Sequence, residues 1–545
     1  MKLSFRFSRT RLYQTIAAAL VMGAAVPVQA IDGVPPYPAV VPLNSLNATT
    51  TGFRVDGKAY QYSGTSVGTI GDFNGDGIDD IAIGAPQDTF DIAGRVYVVF
   101  GRNYAQTMPF PSSFDVSNLL TLTTTSSNED IGVSVSPAGD INGDSIPDLV
   151  IGNAQNHAYV VFGSINWQAG TTFDMSNMSV TQGFRIDGPS NSYLGISVSA
   201  AGDFNGDGID DLMIGTYYQD QSSGSAYVIF GHQTNSPPTN QPFPAVIDVS
   251  TTQLDGQSTA KSQMGGGYVN GFRVDGAAVG DDFGARLGRA SKFNNDAYDD
   301  LIIGAYRNTW NGTESGAAYV ILGRPLPIPN GVLTMNNINV PGVLTLTGAT
   351  AGDTAGLNVA GGGDLNGDGR DDVAVSSSTN TYVVYGRSNL TNTQSITVNL
   401  SNIGTSSLPG FRLNGRSNSL SFLPDANNDG RDDLLIGRRD ESPQGKIQAG
   451  NSYVLFGRPT SPVPNILSLL DSLKGLRGYR LEGTSAGDVS GFAVAAAGDI
   501  NKDGVQDLII GARQANPNGI TRAGSSYVVF GNNDRIFGSG LEANE

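Results

Sequence analysis

The chain has 545 residues and a formal net charge of −18, from 50 acidic and 32 basic side chains. Apolar residues at 39% exclude a disordered acidic tail, and the negative charge argues against a backbone-driven nucleic-acid binder. Cysteine is absent, which removes disulfides and thiolate chemistry, and His157 and His232 are the only histidines, which removes a multi-histidine metal centre and leaves Ser-His-Asp catalysis poorly supported.

The acids are unevenly split: six are Glu and 44 are Asp, and glycine reaches 72 residues, about twice its usual share of roughly 7%. Short carboxylate arms with abundant glycine indicate many tight loops, not long helices.

The N-terminus reads as an export leader, residues 1–30. Lys2, Arg6, Arg9 and Arg11 give a positive start, Thr15 to Val26 is a short apolar stretch, and Val28-Gln29-Ala30 is a small-residue cleavage site. The stretch is too short for a membrane span, and no later run is long enough. Cleavage would leave a mature chain of charge −22, exported and soluble: secreted, periplasmic or on the cell surface.

From Gly52 onward the chain repeats itself. Tyr-Val-aliphatic-aromatic or aliphatic-Gly recurs seven times, at Tyr97–Gly101, Tyr159–Gly163, Tyr227–Gly231, Tyr319–Gly323, Tyr382–Gly386, Tyr453–Gly457 and Tyr527–Gly531, spaced by about 62 to 92 residues. FRVDG-like strings start at Phe53, Phe184, Phe272, Phe411 and Tyr479, with weaker forms at Leu122 and Leu344. A third string begins at Phe114, Phe173 and Ile247. This spacing is too long for a solenoid coil and suits a four-strand blade. In the first unit the predicted strands are about 52–56, 66–71, 80–84 and 96–100, each β-branched or aromatic and bounded by turn residues. The only helical suspicion is a short turn near 466–473. The fold class is therefore all-β: a seven-bladed propeller of four-stranded antiparallel blades, occupying residues 31–531 before a tail at 532–545. Because the chain starts on an FRVDG strand and ends on a YVVFG strand, the N-terminal strand is predicted to close the ring inside the last blade.

Between the second and third predicted strands of each unit lies a nine-residue loop: DFNGDGIDD (72–80), DINGDSIPD (140–148), DFNGDGIDD (203–211), KFNNDAYDD (292–300), DLNGDGRDD (364–372), DANNDGRDD (425–433) and DINKDGVQD (499–507). Oxygen side chains stand at positions 1, 3, 5 and 9, and position 7 offers its carbonyl. Hard oxygens alternating around a turn suit Ca²⁺ better than Mg²⁺, which demands tight octahedral geometry. The expected ligands are Asp72, Asn74, Asp76, Ile78 and Asp80; Asp140, Asn142, Asp144, Ile146 and Asp148; Asp203, Asn205, Asp207, Ile209 and Asp211; Asp364, Asn366, Asp368, Arg370 and Asp372; Asp425, Asn427, Asp429, Arg431 and Asp433; Asp499, Asn501, Asp503, Val505 and Asp507. Ile78, Ile146, Ile209, Arg370, Arg431 and Val505 would contribute backbone carbonyls. The fourth loop has Lys292 at position 1 and Ala297 at position 6, so about six structural calcium sites are expected, with Lys292 neutralising Asp296 and Asp300 instead. An EF-hand is excluded, because its bidentate Glu at position 12 is replaced here by Ile or Val.

These strings resemble the FG-GAP repeat, the blade of the seven-bladed propeller in integrin α chains and in many exported bacterial proteins. Phe283-Gly284 supplies the Phe-Gly pair, and Gly84-Ala85-Pro86, Gly304-Ala305 and Gly511-Ala512 follow the acidic loops. The resemblance covers about residues 41–531, and departs from the pattern in its mostly degraded Phe-Gly pairs. It implies calcium loops on one face of the propeller and partners on the other. That second face would carry Tyr60, Tyr62, Tyr217, Tyr218, Tyr306, Trp310, Arg438 and Arg439, aromatics and cations suited to sugar stacking or a protein hot spot. The expected function is a non-enzymatic, monomeric binding or adhesion module for an extracellular protein or glycan. A propeller enzyme acting on polysaccharide or phosphodiester, and a structural surface protein, are the alternatives.

Overall fold

The computed structural model describes residues 40–86, 93–104, 109–126, 129–218, 223–234, 242–250, 254, 271–325, 328, 331–335, 340–459, 466–467 and 478–531. The leader at 1–30 and the tail at 532–545 lie outside them. Among the described residues there is no α-helix, only strands and short 3₁₀ turns. No helix there is long and apolar enough to cross a membrane.

The strands form seven sheets. In the first blade Ser66–Gly71, Asp80–Ala85, Arg95–Val99 and Leu120–Thr123 pair antiparallel in that order, from the ring centre outward. The weak strings near Leu122 and Leu344 are fourth strands like the others, Leu120–Thr123 and Val343–Thr347. The inner strands of neighbouring blades pack side by side right round the ring. Closure is as predicted: Gly52–Asp56 pairs antiparallel with Ser525–Val529, so the first FRVDG strand completes the seventh blade.

Each blade has one strand more than the four read from the sequence. A short fifth strand lies parallel on its outer edge, and it comes from the next unit of the chain. Thr172–Asp174, which follows the third strand of the second blade, pairs with Leu120–Thr123 of the first. Ser113–Asp115 likewise covers Gly52–Asp56, and Val40–Pro42 covers Gly478–Glu482 of the sixth blade. The third repeated string is thus a strap that covers the neighbour's exposed edge. Ile466–Leu467, suspected of helical character, forms such a strand beside Gly410–Asn414.

The core is divided among the blade interfaces. Seven buried apolar clusters lie one between each neighbouring pair. The second strands read as nearly continuous apolar runs because both of their faces are covered. Ile81 and Ile83 face the seventh blade, while Ala82 between them faces the second. Side chains alternate across a strand, so adjacent residues serve opposite interfaces. A fully buried isoleucine contributes about 1.5–3 kcal/mol.

Candidate functional site

The inner strand of each blade runs to an acidic loop and the second strand runs away from it, which sets all seven loops at one end of the ring. The seventh blade shows how sequence becomes loop. Both Asp499 carboxylate oxygens accept loop amides, from Asp503 at 2.9 Å and Gly504 at 2.9 Å. Asn501 Oδ1 accepts the Asp503 amide at 2.8 Å, and Asp503 Oδ1 accepts that of Val505 at 3.0 Å. The position 1 carboxylate makes the same pair of bonds to positions 5 and 6 in all six intact loops. Position 6 is left-handed in those six, at Gly in five and at Ser145 (φ 71°) in the second. Glycine is easiest there because it has no Cβ to clash.

The position 9 aspartate is fully enclosed, and its structural role was missed in the sequence. In the first blade Asp80 Oδ1 accepts the amide of Gly101, the glycine that ends YVVFG, at 2.8 Å. The equivalent bond recurs in all seven blades, at Asp148, Asp211, Asp300, Asp372, Asp433 and Asp507. A Cβ on Gly231 would lie 2.2 Å from the Asp210 carbonyl, so only glycine admits this approach. Burial, reinforced by the nearby position 5 and position 1 carboxylates of the same loop, pushes Asp80 up to about 8 against the amide bond from Gly101. Burial likewise raises Asp433 to about 8, and holds Asp148, Asp211, Asp372 and Asp507 well above the usual carboxylate range. A buried carboxylate beside two others lacks a compensating positive charge.

Position 8 is aspartate in five of the seven loops. In five blades its side chain accepts the position 1 amide of the preceding blade: Asp79 from Asp499, Asp210 from Asp140, Asp299 from Asp203, Asp371 from Lys292 and Asp432 from Asp364, all between 2.8 and 3.0 Å. Pro147 and Gln506 occupy the position in the other two.

The fourth loop departs as the sequence suggested, with a different partner. Lys292 Nζ donates to the Ala297 carbonyl at 2.8 Å and pairs with Asp299 at 3.2 Å, not with Asp296 or Asp300. The ammonium closes the loop through a carbonyl where the other loops use a carboxylate on amides. Asp300 stays raised to about 8, by burial first and then by Asp296 and Asp299, with the Gly323 amide opposing.

The donor set suits a hard dication in chemistry: three carboxylates, an amide oxygen and a carbonyl within nine residues. Asn142 and Asn366 each carry a buried Oδ1 with no hydrogen-bond partner. The carboxylates are turned onto loop amides, and among the described residues no three of them converge as a closed ligand set. Arg370 and Arg431 at position 7 also send their guanidiniums to the position 5 carboxylates, Asp368 at 3.0 Å and Asp429 at 3.8 Å.

At the other end of the ring the expected aromatic face is partly realised. Tyr60, Tyr218 and Trp310 are exposed, and Tyr217 stacks on Tyr193 with centroids 5.1 Å apart. Tyr193 was not foreseen. Tyr62 is buried, and Arg513 and Arg522 lie over its ring. Trp310 donates its indole N–H to the Tyr319 hydroxyl at 2.9 Å. Arg438 is tied to the Asn414 and Gly415 carbonyls and to Glu441, a packing role. His157 contacts Asp187 at 2.8 Å and His232 packs on Phe243 with centroids 4.1 Å apart.

The FG-GAP repeat model matches residues 63–99, 194–229, 355–398 and 490–529. Integrin alpha-PS2 of Drosophila melanogaster is 26% identical over 297 residues, 53% of this chain and 18% of that protein. Phosphatidylinositol-glycan-specific phospholipase D of Rattus norvegicus is 36% identical over 107 residues, covering 20% of this chain and 12% of that protein. Integrin alpha pat-2 of Caenorhabditis elegans is 32% identical over 116 residues, 21% of this chain and 9% of that protein. The matched stretches thus span under a fifth of each relative's length. The four matched segments hold the inner strands of the first, third, fifth and seventh blades, and the blades between them repeat the same buried aspartate and the same strand order. The chain is an FG-GAP-repeat, integrin-α-like seven-bladed β-propeller.

Proposed function

We propose that this propeller is an exported, calcium-stabilised binding module that engages an extracellular protein or glycan through the face opposite its acidic loops. The observation that carries the reading is the division of labour between the two ends. One end repeats a single metal-type loop in six blades, and the fourth departs from it at Lys292 and Ala297. The other end differs in every blade and gathers the tyrosines Tyr193, Tyr217 and Tyr218 beside a cavity of about 400 Å³. Cavities of that size with aromatic walls and a few polar groups are ligand-binding in character.

Calcium is proposed for six loops from donor type, loop spacing and the uncompensated buried carboxylates. When bound, the ion would supply positive charge to the position 1, 5 and 9 aspartates, with Asn at position 3 and the position 7 carbonyl completing the shell. The chain's own residues already set the loop path through the position 1 and 9 carboxylates. The fourth loop is proposed to stay metal-free. Loops five and six should bind most weakly of the six, since Arg370 and Arg431 compete at position 5.

Export rests on the leader segment, and the extracellular setting is that of the integrin α relatives. The phospholipase D relative keeps a catalytic reading in view. Neither histidine lines the tyrosine cavity, however, and the proposal is binding without catalysis. The test is a glycan array and a pull-down from extracellular extract with calcium present, using wild type and Tyr217→Ala/Tyr218→Ala. Capture that the double variant loses supports the reading. Capture that is unchanged by the variant, or new unsaturated ends on a polysaccharide substrate, refutes it.

A further inference from the structure

The second strands of the third, fourth, sixth and seventh blades end at Thr216, Ala305, Arg438 and Ala512. The residue that follows each is Tyr217, Tyr306, Arg439 and Arg513, so in these four blades one structural position carries tyrosine or arginine, where the first, second and fifth blades carry Pro86, Ala154 and Ser378. The inner strands begin beside these positions, and that of the fourth blade, Arg286–Ser291, begins with arginine. The result is a cationic and aromatic rim at the end of the ring away from the acidic loops.

The rim is built across blades. Arg439 and Arg513, from the sixth and seventh blades, both lie over the Phe492 ring, at 4.8 and 4.5 Å. Arg307 lies over Tyr306 at 5.7 Å. Tyr217, Tyr218, Arg286, Tyr306 and Arg307 wall the cavity of about 400 Å³. Arg286 donates to the Ala285 carbonyl at 2.7 Å. Arg286 itself is exposed at the head of its strand. Carboxylates are present on this rim: Asp282 at 3.4 Å and Glu314 at 4.0 Å from Arg307, and Asp440 at 3.6 Å from Arg439. Asp282 also lines the cavity beside Arg286. In a chain of net charge −18 this is an unexpected place to gather arginines.

We propose that this rim binds a carboxylate-bearing oligosaccharide, with uronate groups held by Arg286 and Arg439 and sugar faces laid on Tyr217 and Tyr218. Guanidinium presents a planar fork that matches a carboxylate, and tyrosine offers a flat apolar face with a polar tip. The cavity is too small for a folded partner and the right size for a few sugar rings. The inference deepens the binding-module reading and rests on it.

The test is titration calorimetry of the full chain in calcium buffer with a hexauronate, its carboxyl methyl ester and polyglutamate of equal charge. Wild type should bind the hexauronate, and the methyl ester and polyglutamate should bind at least about tenfold more weakly. Arg286→Gln and Arg439→Gln should each lose about tenfold, and Arg286→Lys should recover only part, because it keeps the charge without the fork. Thermal unfolding of each variant identifies any that fails to fold, and Tyr217→Ala then supplies an independent loss on a different residue. No hexauronate binding, equal binding of the ester, or equal binding of polyglutamate would overturn the proposal. Capture of a neutral glycan or a protein that Tyr217→Ala abolishes, with hexauronate silent, would sink this inference and leave the binding-module reading standing.

Discussion

The Asp79 carboxylate accepts the backbone amide of Asp499 at 2.9 Å, joining residues 420 positions apart in the chain. The two loops belong to the first and seventh blades, so this bond crosses the point where the ring closes. Strand pairing latches the same closure on its outer side, and the acidic loops latch it at one end. The same device joins four other neighbouring pairs of blades.

Asp79→Ala removes the acceptor and leaves the Asp499 amide exposed to solvent or unpaired. A hydrogen bond to a charged group contributes about 1.5–3 kcal/mol. Hydrogen exchange should show the Asp499 amide losing at least about tenfold protection, with the Asp140 and Asp203 amides unchanged. The reverse change, Gln506→Asp, places a carboxylate where the junction of the sixth and seventh blades has none. It should raise the urea midpoint, and a fall would show that the junction cannot use the acceptor.

Gly231→Ala would place a Cβ 2.2 Å from the Asp210 carbonyl and push the amide away from Asp211. Overpacking of this kind costs about 1–3 kcal/mol. The urea midpoint should drop clearly. A substitution at exposed Gly208, where a Cβ meets no atom within 4 Å, offends only through its φ of 87° and should cost less.

Removal of calcium should lower the melting temperature. Each site filled at about a hundred times its Kd stabilises the fold by about 2.7 kcal/mol. Native mass spectrometry should count six ions, and Lys292→Asp should add a seventh. An unchanged melting temperature in chelator would show that the loops are not structural metal sites.

The pH dependence of the metal-free protein follows from the buried position 9 aspartates. Asp80, Asp300 and Asp433 are raised from 3.8 to about 8. The folded state therefore holds these protons where the unfolded chain has released them. Stability should fall as pH rises from about 4 to about 8 and level off beyond. Calcium should flatten this slope, because a bound cation favours the ionised form. Melting curves across that range, in metal-stripped buffer and with added calcium, check the sign; stability that rises with pH without metal would contradict it.

The sequence by itself determined the number of blades, the position of the acidic loops and the phase that closes the ring. These follow from short-range rules: strand periodicity, turn residues and the order of repeated strings along the chain. Lys292 stood out for the same reason, as one wrong charge in a repeated frame. The sequence could not show what crosses between blades. The position 8 aspartates looked like additional loop acid, because their acceptor role depends on a neighbour about seventy or more residues away. The glycine of YVxFG looked like a strand end, because the atom that forbids its Cβ belongs to the acidic loop. The fifth strand was visible as a string without a place, since its partner lies in the preceding blade. Tyr62 looked like Tyr60 until the arginines of the seventh blade closed over it. Arg286, Arg439 and Arg513 are scattered over more than two hundred residues, and only the closing of the ring brings like charges together at one opening.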